Sequence, residues 1–166
     1  MDRAVQHSID GDGMNAVKAS IFVDAIVALV RARIPYSFYV SKILWGLSLF
    51  LQTGSFRECW HDYPRISDEA KRIRELRRPE WRKQLTFEHA RPLSQMYEML
   101  FSLGSSVTRD AVVKIVGEYP PVLITRSEND DLNARGFKVL GMPQERYENI
   151  PISGFSLRAS DGSEEI

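Results

Sequence analysis

The stretch LTFEHARPLSQMYEML, Leu85–Leu100, decides how this chain is read. Its first half has the length of a short strand and closes on His89. Pro92, with no amide hydrogen to give a ladder, marks where a strand ends. Its second half sets Leu93, Met96, Tyr97 and Leu100 on one face of a helix from about Pro92 to Leu103, which Gly104 and Ser105 stop. The expectation is a strand running into a helix, with Glu88 and His89 at the junction. A histidine in that place is either a general base or a structural residue where two elements meet, and this stretch by itself leaves both readings open.

A second segment, PVLITRSENDDLNARGF, begins at Pro121. VLIT is an apolar run suited to a strand, and S-E-N-D-D is a normal helix-start composition, so Asn129 and Asp130 are also ordinary cap candidates. Between the two segments, VTRDAVVKIVGEY from Val107 predicts a further helix ended by Pro120 and Pro121.

Upstream, Ala19, Phe22, Val23, Ile26, Val27 and Val30 recur at helical spacing from Ala16 to Arg33. Pro35 ends that helix, and Ser37 can cap a second from Phe38 to about Gln52, with Tyr39, Ile43, Leu47 and Phe50 as its core contribution. Thr53–Ile66 reads as a loop anchored by Phe56, Trp60 and Tyr63. Cys59 and His61 lie close together in it, but no partner pair elsewhere makes them a metal site. Ser67, followed by Asp68 and Glu69, starts another helix.

The fold class expected is α+β and mostly helical: an N-terminal helical hairpin with a C-terminal strand-helix unit. The expected divisions are a disordered tail over 1–13, a helical lobe with a basic helix over 14–84, the strand-helix unit over 85–151 and a loose tail over 152–166.

Lys plus Arg and Asp plus Glu both total 22, so net charge gives no reason to expect a general polyanion binder. Any nucleic-acid site must come from the distribution of charge. The densest positive patch runs from Lys71 to Lys83 and includes Arg72, Arg74, Arg77, Arg78 and Arg82 around Trp81. It reads either as a solvated helix face or as a phosphate-contacting surface. The single cysteine excludes an intrachain disulfide and fits a reducing compartment, so cytoplasm is the expected location. Residues 1–13 lack the apolar stretch of a secretory signal. The apolar stretch Ala19–Leu51 is interrupted by Asp24, Arg31, Arg33, Pro35 and Lys42, which predicts buried helices and no membrane span.

FEHARPL resembles the E-H-x-x-P strand of HNH nucleases, the ββα-metal or His-Me finger group. VLITRSEN is similar to the second strand and helix start of HNH domains in RNA-guided nucleases and modification-dependent restriction enzymes. LNARGF, with Arg146 and Tyr147 beyond it, is similar to the C-terminal helix of the latter. The resemblance covers about Leu85–Tyr147 and implies a bacterial or phage metal-dependent DNA endonuclease, in defence or on a mobile element, with Mg²⁺ or Mn²⁺ as cofactor. It further implies that His89 activates water, and that Glu88 and Asn129 hold the ion. Asp130 replaces Asn129 if the register differs by one, and Asn133 is a further candidate ligand. Arg72, Arg74, Arg77, Arg78, Arg82, Lys83 and Arg126 would contact DNA.

Adjacent strand residues point to opposite faces, so Glu88 and His89 can converge on one phosphate only if the strand ends or twists there. The alternative is a non-catalytic protein-interaction module, such as an immunity protein or inhibitor, whose apolar hairpin docks a protein partner or forms a homodimer.

Overall fold

Where a side chain can satisfy a helix's orphan amides, a helix starts, and the chain uses this device four times among the described residues. Ser37 accepts from the Val40 amide at 3.4 Å, Ser67 from Ala70 at 3.1 Å, Thr108 from Ala111 at 3.2 Å and Thr125 from Glu128 at 3.0 Å. At Thr125 the cap is reciprocal, since the Glu128 carboxylate accepts from the Thr125 amide at 2.7 Å. The structure, a computed structural model, describes residues 6–56, 60–137 and 143–153.

The elements in chain order are α1 (Gln6–Arg31), α2 (Phe38–Thr53), β1 (Ile66–Ser67), α3 (Asp68–Leu76), β2 (Leu85–His89), α4 (Leu93–Leu103), α5 (Arg109–Glu118), β3 (Pro121–Thr125), α6 (Arg126–Ala134), α7 (Pro143–Arg146) and β4 (Ile152–Ser153). A 3-10 turn, Trp81–Gln84, leads into β2, and a second, Gly104–Ser106, follows α4. The fold is α+β and mostly helical. Helix α1 begins at Gln6, so the expected loose N-terminal tail is helical over most of its length. At the other end Ile152 and Ser153 pair as β4, and residues 154–166 lie outside the described residues.

Four helices build one core. Val23, Ile26 and Val30 of α1, Val40, Leu44 and Leu47 of α2, Tyr97 and Leu100 of α4, and Val112 and Val116 of α5 are buried together. Gly46 lets α1 and α2 close up, because a Cβ there would lie 2.7 Å from the Phe22 ring. Polar ties fix the α1–α2 connection onto the helices inserted between β2 and β3. The Tyr97 hydroxyl donates to the Ile34 carbonyl at 2.7 Å, Arg31 to the Val107 carbonyl at 3.0 Å and Arg33 to the Phe101 carbonyl at 2.9 Å. Helices α4 and α5, inserted between β2 and β3, thus pack on the N-terminal hairpin. Tyr39, expected in the core, is 78% exposed, as is its neighbour Phe38 at 67%. Leu47 is buried as expected, with Ile43 and Phe50 packed against the same core, and Val40 and Leu44, one position along from Tyr39 and Ile43, are buried beside it. Among the described residues no helix is long and apolar enough to cross a membrane.

The sheet is four-stranded in the order β2-β3-β1-β4. β2 and β3 are antiparallel, with Leu85 opposite Thr125, Glu88 opposite Val122 and His89 opposite Pro121. β1 is parallel to β3 and antiparallel to β4. One face of the sheet meets Leu49, Tyr63 and Trp81. The other meets Leu132 of α6, Tyr147 and Ile150.

Candidate functional site

Strand alternation sorts the residues of β2. Leu85, Phe87 and His89 face the aromatic side: the Phe87 ring lies 4.9 Å from those of Trp60 and Tyr63 and 5.9 Å from that of Trp45, and the His89 ring lies 4.7 Å from that of Trp45. Glu88 and, beyond the strand end, Ala90 face the other side with α6, Arg146 and Tyr147. The turn or twist that would bring Glu88 and His89 together does not occur, because the ladder stays regular through His89 opposite Pro121.

On its face, Glu88 is engaged. The guanidinium of Arg146, fully buried, donates to the Glu88 carboxylate and to the Phe137 carbonyl. Burial raises the Glu88 carboxyl above the usual carboxylate range, and Arg146 opposes this by favouring the charged form. Tyr147 packs beside them, its phenol held high first by burial and then by the Glu88 charge. A guanidinium here supplies the positive charge that a buried carboxylate requires.

On the opposite face, His89 is buried and its Nε2 has no hydrogen-bond partner among the described residues. Burial, aided by the Arg146 charge, drives its pKa down to about 3, so the ring is neutral at any ordinary pH. A neutral imidazole has the right protonation state for a general base. The indole of Trp45 lies against it, and only 6% of the residue's surface is exposed.

The other expected ligands lie on α6. Leu132 faces the sheet, Asn129 is half-buried, and Asp130 and Asn133 are exposed. The first turn of α6 is used internally: Glu128 accepts from the Ser67 hydroxyl at 2.7 Å and from the Thr125 amide, clamping α6 to the end of β1. Among the described residues no group of three or more His, Cys, Asp and Glu side chains is placed to hold a metal ion. Glu88 held by Arg146, His89 across the sheet and three α6 side chains largely at the surface do not fit one Mg²⁺ or Mn²⁺, an ion that needs converging oxygen ligands. Cys59, considered with His61 as a ligand, lies outside the described residues, and His61 instead meets an Arg82 nitrogen at 2.6 Å.

The basic stretch is partitioned in the same way. Arg72 forks onto Glu69, at 2.8 and 2.5 Å. Lys83 pairs with Glu80 at 2.5 Å, and Arg74 donates to the Tyr63 carbonyl at 3.1 Å. Lys71, Arg77, Arg78, Arg82 and Arg126 are exposed. Trp81, expected among the arginines as a possible stacking platform, is buried against Leu85 and Tyr63, with Arg82 laid over its ring at 5.5 Å.

Three residues at the centre of this region carry no obvious sequence signal as site residues. Arg146 and Tyr147 stand out only through the family likeness of their segment, and Trp45 is one of many apolar residues of a helix. The signal that could have found Arg146 is the charge on Glu88: a carboxylate within a five-residue strand needs a buried cation, and Arg146 is one of few beyond β3. A comparison with protein-family models gives no match, and neither do comparisons with curated proteins and with solved structures.

Proposed function

We propose that this protein is a non-catalytic binding module in which the HNH-like hairpin and helix, β2, β3 and α6, serve as scaffold. The observation that carries this reading is the engagement of the two residues on which catalysis would depend. Glu88 is tied to Arg146, and His89 is packed under Trp45 on the opposite face of the sheet. A binding module needs only a stable frame and an exposed surface, and the described residues offer both. The sole cysteine of the chain fits work in the cytoplasm.

The second reading, a metal-dependent DNA endonuclease, is favoured by one observation. An antiparallel hairpin that carries Glu-His at the end of its first strand runs directly into a helix capped by Thr125, which is the order the family resemblance implies. It requires Glu88 to leave Arg146 and His89 to turn out from under Trp45.

Incubation of supercoiled plasmid with Mg²⁺ or Mn²⁺, with and without chelator, separates the two readings. The binding-module reading expects the parent and His89→Ala to leave the plasmid equally intact. Metal-dependent nicking by the parent that vanishes in His89→Ala would overturn it and establish the endonuclease.

A further inference from the structure

Within the basic stretch the fold leaves several cations available. Arg72, Lys83 and Arg74 are engaged by Glu69, Glu80 and the Tyr63 carbonyl. Lys71, Arg77 and Arg78 are exposed and paired with no carboxylate among the described residues, and Arg82 meets only His61 and the Trp81 ring. Arg126 joins them from far along the chain: its Nε donates to the Lys83 carbonyl at 2.6 Å, which sets the start of α6 beside the 3-10 turn. A shallow groove whose lining includes Lys83 and Arg126 as well as the carboxylates Glu69 and Glu128 runs between α3 and the start of α6.

The backbone that presents this set is unusual. Arg77 and Glu80 both take left-handed conformations, with φ of 43° and 63°, although neither is glycine. Each such residue costs on the order of 1 kcal/mol and persists only where its surroundings hold it. Trp81 is buried just after this corner, and Arg77 and Arg78 are exposed on it.

We propose that Lys71, Arg77, Arg78, Arg82 and Arg126 form a surface that grips the phosphate backbone of a nucleic-acid duplex. The inference gives the binding-module reading its partner and rests on that reading. Four of the five cations are arginines, whose planar fork matches phosphate oxygens two at a time. A single-stranded partner is disfavoured because sequence-tolerant gripping of a single strand uses aromatic faces for base stacking, and Trp81 is buried under Arg82. The zero net charge of the chain makes attraction local to this surface, so binding is sensitive to individual side chains there.

The test is fluorescence anisotropy of a short labelled DNA duplex, with chelator present throughout so that any cleavage activity is silent. Failure of this inference is then read separately from failure of the binding-module reading. The parent is compared with Arg77→Glu/Arg78→Glu and with Lys18→Glu/Lys114→Glu, a charge-matched control on exposed positions of α1 and α5. A milder pair, Arg77→Gln/Arg78→Gln, guards against a folding defect at the left-handed corner. The expected result is a dissociation constant raised about tenfold or more by Arg77→Glu/Arg78→Glu, with a smaller change in the same direction for the glutamine pair. The control pair should shift it by less than about twofold. The slope of log affinity against log salt should fall by about one for each phosphate that a variant no longer neutralises. Equal weakening by the two glutamate pairs, no binding by the parent at low salt, or competition by polyglutamate as strong as that by unlabelled duplex would each overturn the proposal. The last outcome would point to an acidic protein partner instead.

Discussion

The two faces of β2 bury adjacent residues by opposite means. On one, Glu88 lies against a guanidinium that favours its charged form while burial opposes it; on the other, His89 gives up its charge and lies against the Trp45 ring. A carboxylate cannot be buried alone without a cost of several kcal/mol, so its face must supply a cation, and Arg146 comes from 58 residues away to do so. An imidazole titrates close to neutrality and can be buried simply by losing its proton. Two neighbouring residues of one motif thus sit in two electrostatic environments. What looks like a catalytic pair in the sequence becomes an ion pair on one side and a packing residue on the other.

The largest effect should follow from breaking the charged face. Arg146→Ala leaves Glu88 without its counter-charge and opens space beside Tyr147, and it should destabilise the protein by about 3–5 kcal/mol. Glu88→Gln in the Arg146→Met background should recover much of that loss, because two neutral groups of similar size need no mutual compensation. Urea denaturation of Arg146→Ala, Arg146→Met, Glu88→Gln and the double variant measures the coupling. A double variant no more stable than Arg146→Ala would mean that Arg146 matters through its bond to the Phe137 carbonyl and not through Glu88.

The aromatic face should respond to pH. With the folded pKa of His89 near 3 and an unfolded value near 6.5, the unfolded chain binds more protons anywhere between them. Stability contributed by burying the neutral ring is therefore fully present above pH 6.5 and is lost as pH falls toward 3. Between pH 7.5 and 5 the parent should lose about 2 kcal/mol more than His89→Gln, whose amide does not titrate. Taking the difference between the two proteins removes His61 and the carboxylates, which both share. Parallel stability profiles would mean that the ring is hydrated and that the aromatic face is open in solution.

The elements whose signals lie within a few residues of one another are legible in the sequence. Ser37 and Ser67 announce helices because a hydroxyl reaches an amide only three positions on, and Pro92 and Pro121 bracket the insertion of two helices between the hairpin strands; the cap of α6 is Thr125, and Asn129 and Asp130, the expected cap candidates, lie inside that helix. The distribution of those two helices is not legible. Nothing in MYEMLFSL says that α4 packs on α1 and α2 instead of on its own sheet, since Leu100 would suit either core. The misplacement of Tyr39 has the same origin, for Tyr39 and Val40 differ by one step around a helix and only the neighbouring elements decide which turns inward. The candidate site is half legible. Glu88, His89 and the α6 polar residues stand out as residue types, but their separation across the sheet depends on the ladder staying regular to His89, and the partner of Glu88 depends on where a distant segment returns.

A smaller effect should come from the end of the same hairpin, where β3 runs into α6. The Thr125 hydroxyl accepts the Glu128 amide, and the Glu128 carboxylate accepts both the Thr125 amide and the Ser67 hydroxyl. In Thr125→Ala only the first of these bonds, a part-buried one, is lost. The loss should therefore be about 1 kcal/mol, with the denaturant slope unchanged. Thr125→Ser retains the hydroxyl and should fall between Ala and the parent. A loss several times larger in Thr125→Ala would show that the cap also sets the register of β2 against β3, because Thr125 stands opposite Leu85 as the last pair of the ladder. The two faces of β2 would then be held apart by this single turn as much as by Arg146 and Trp45.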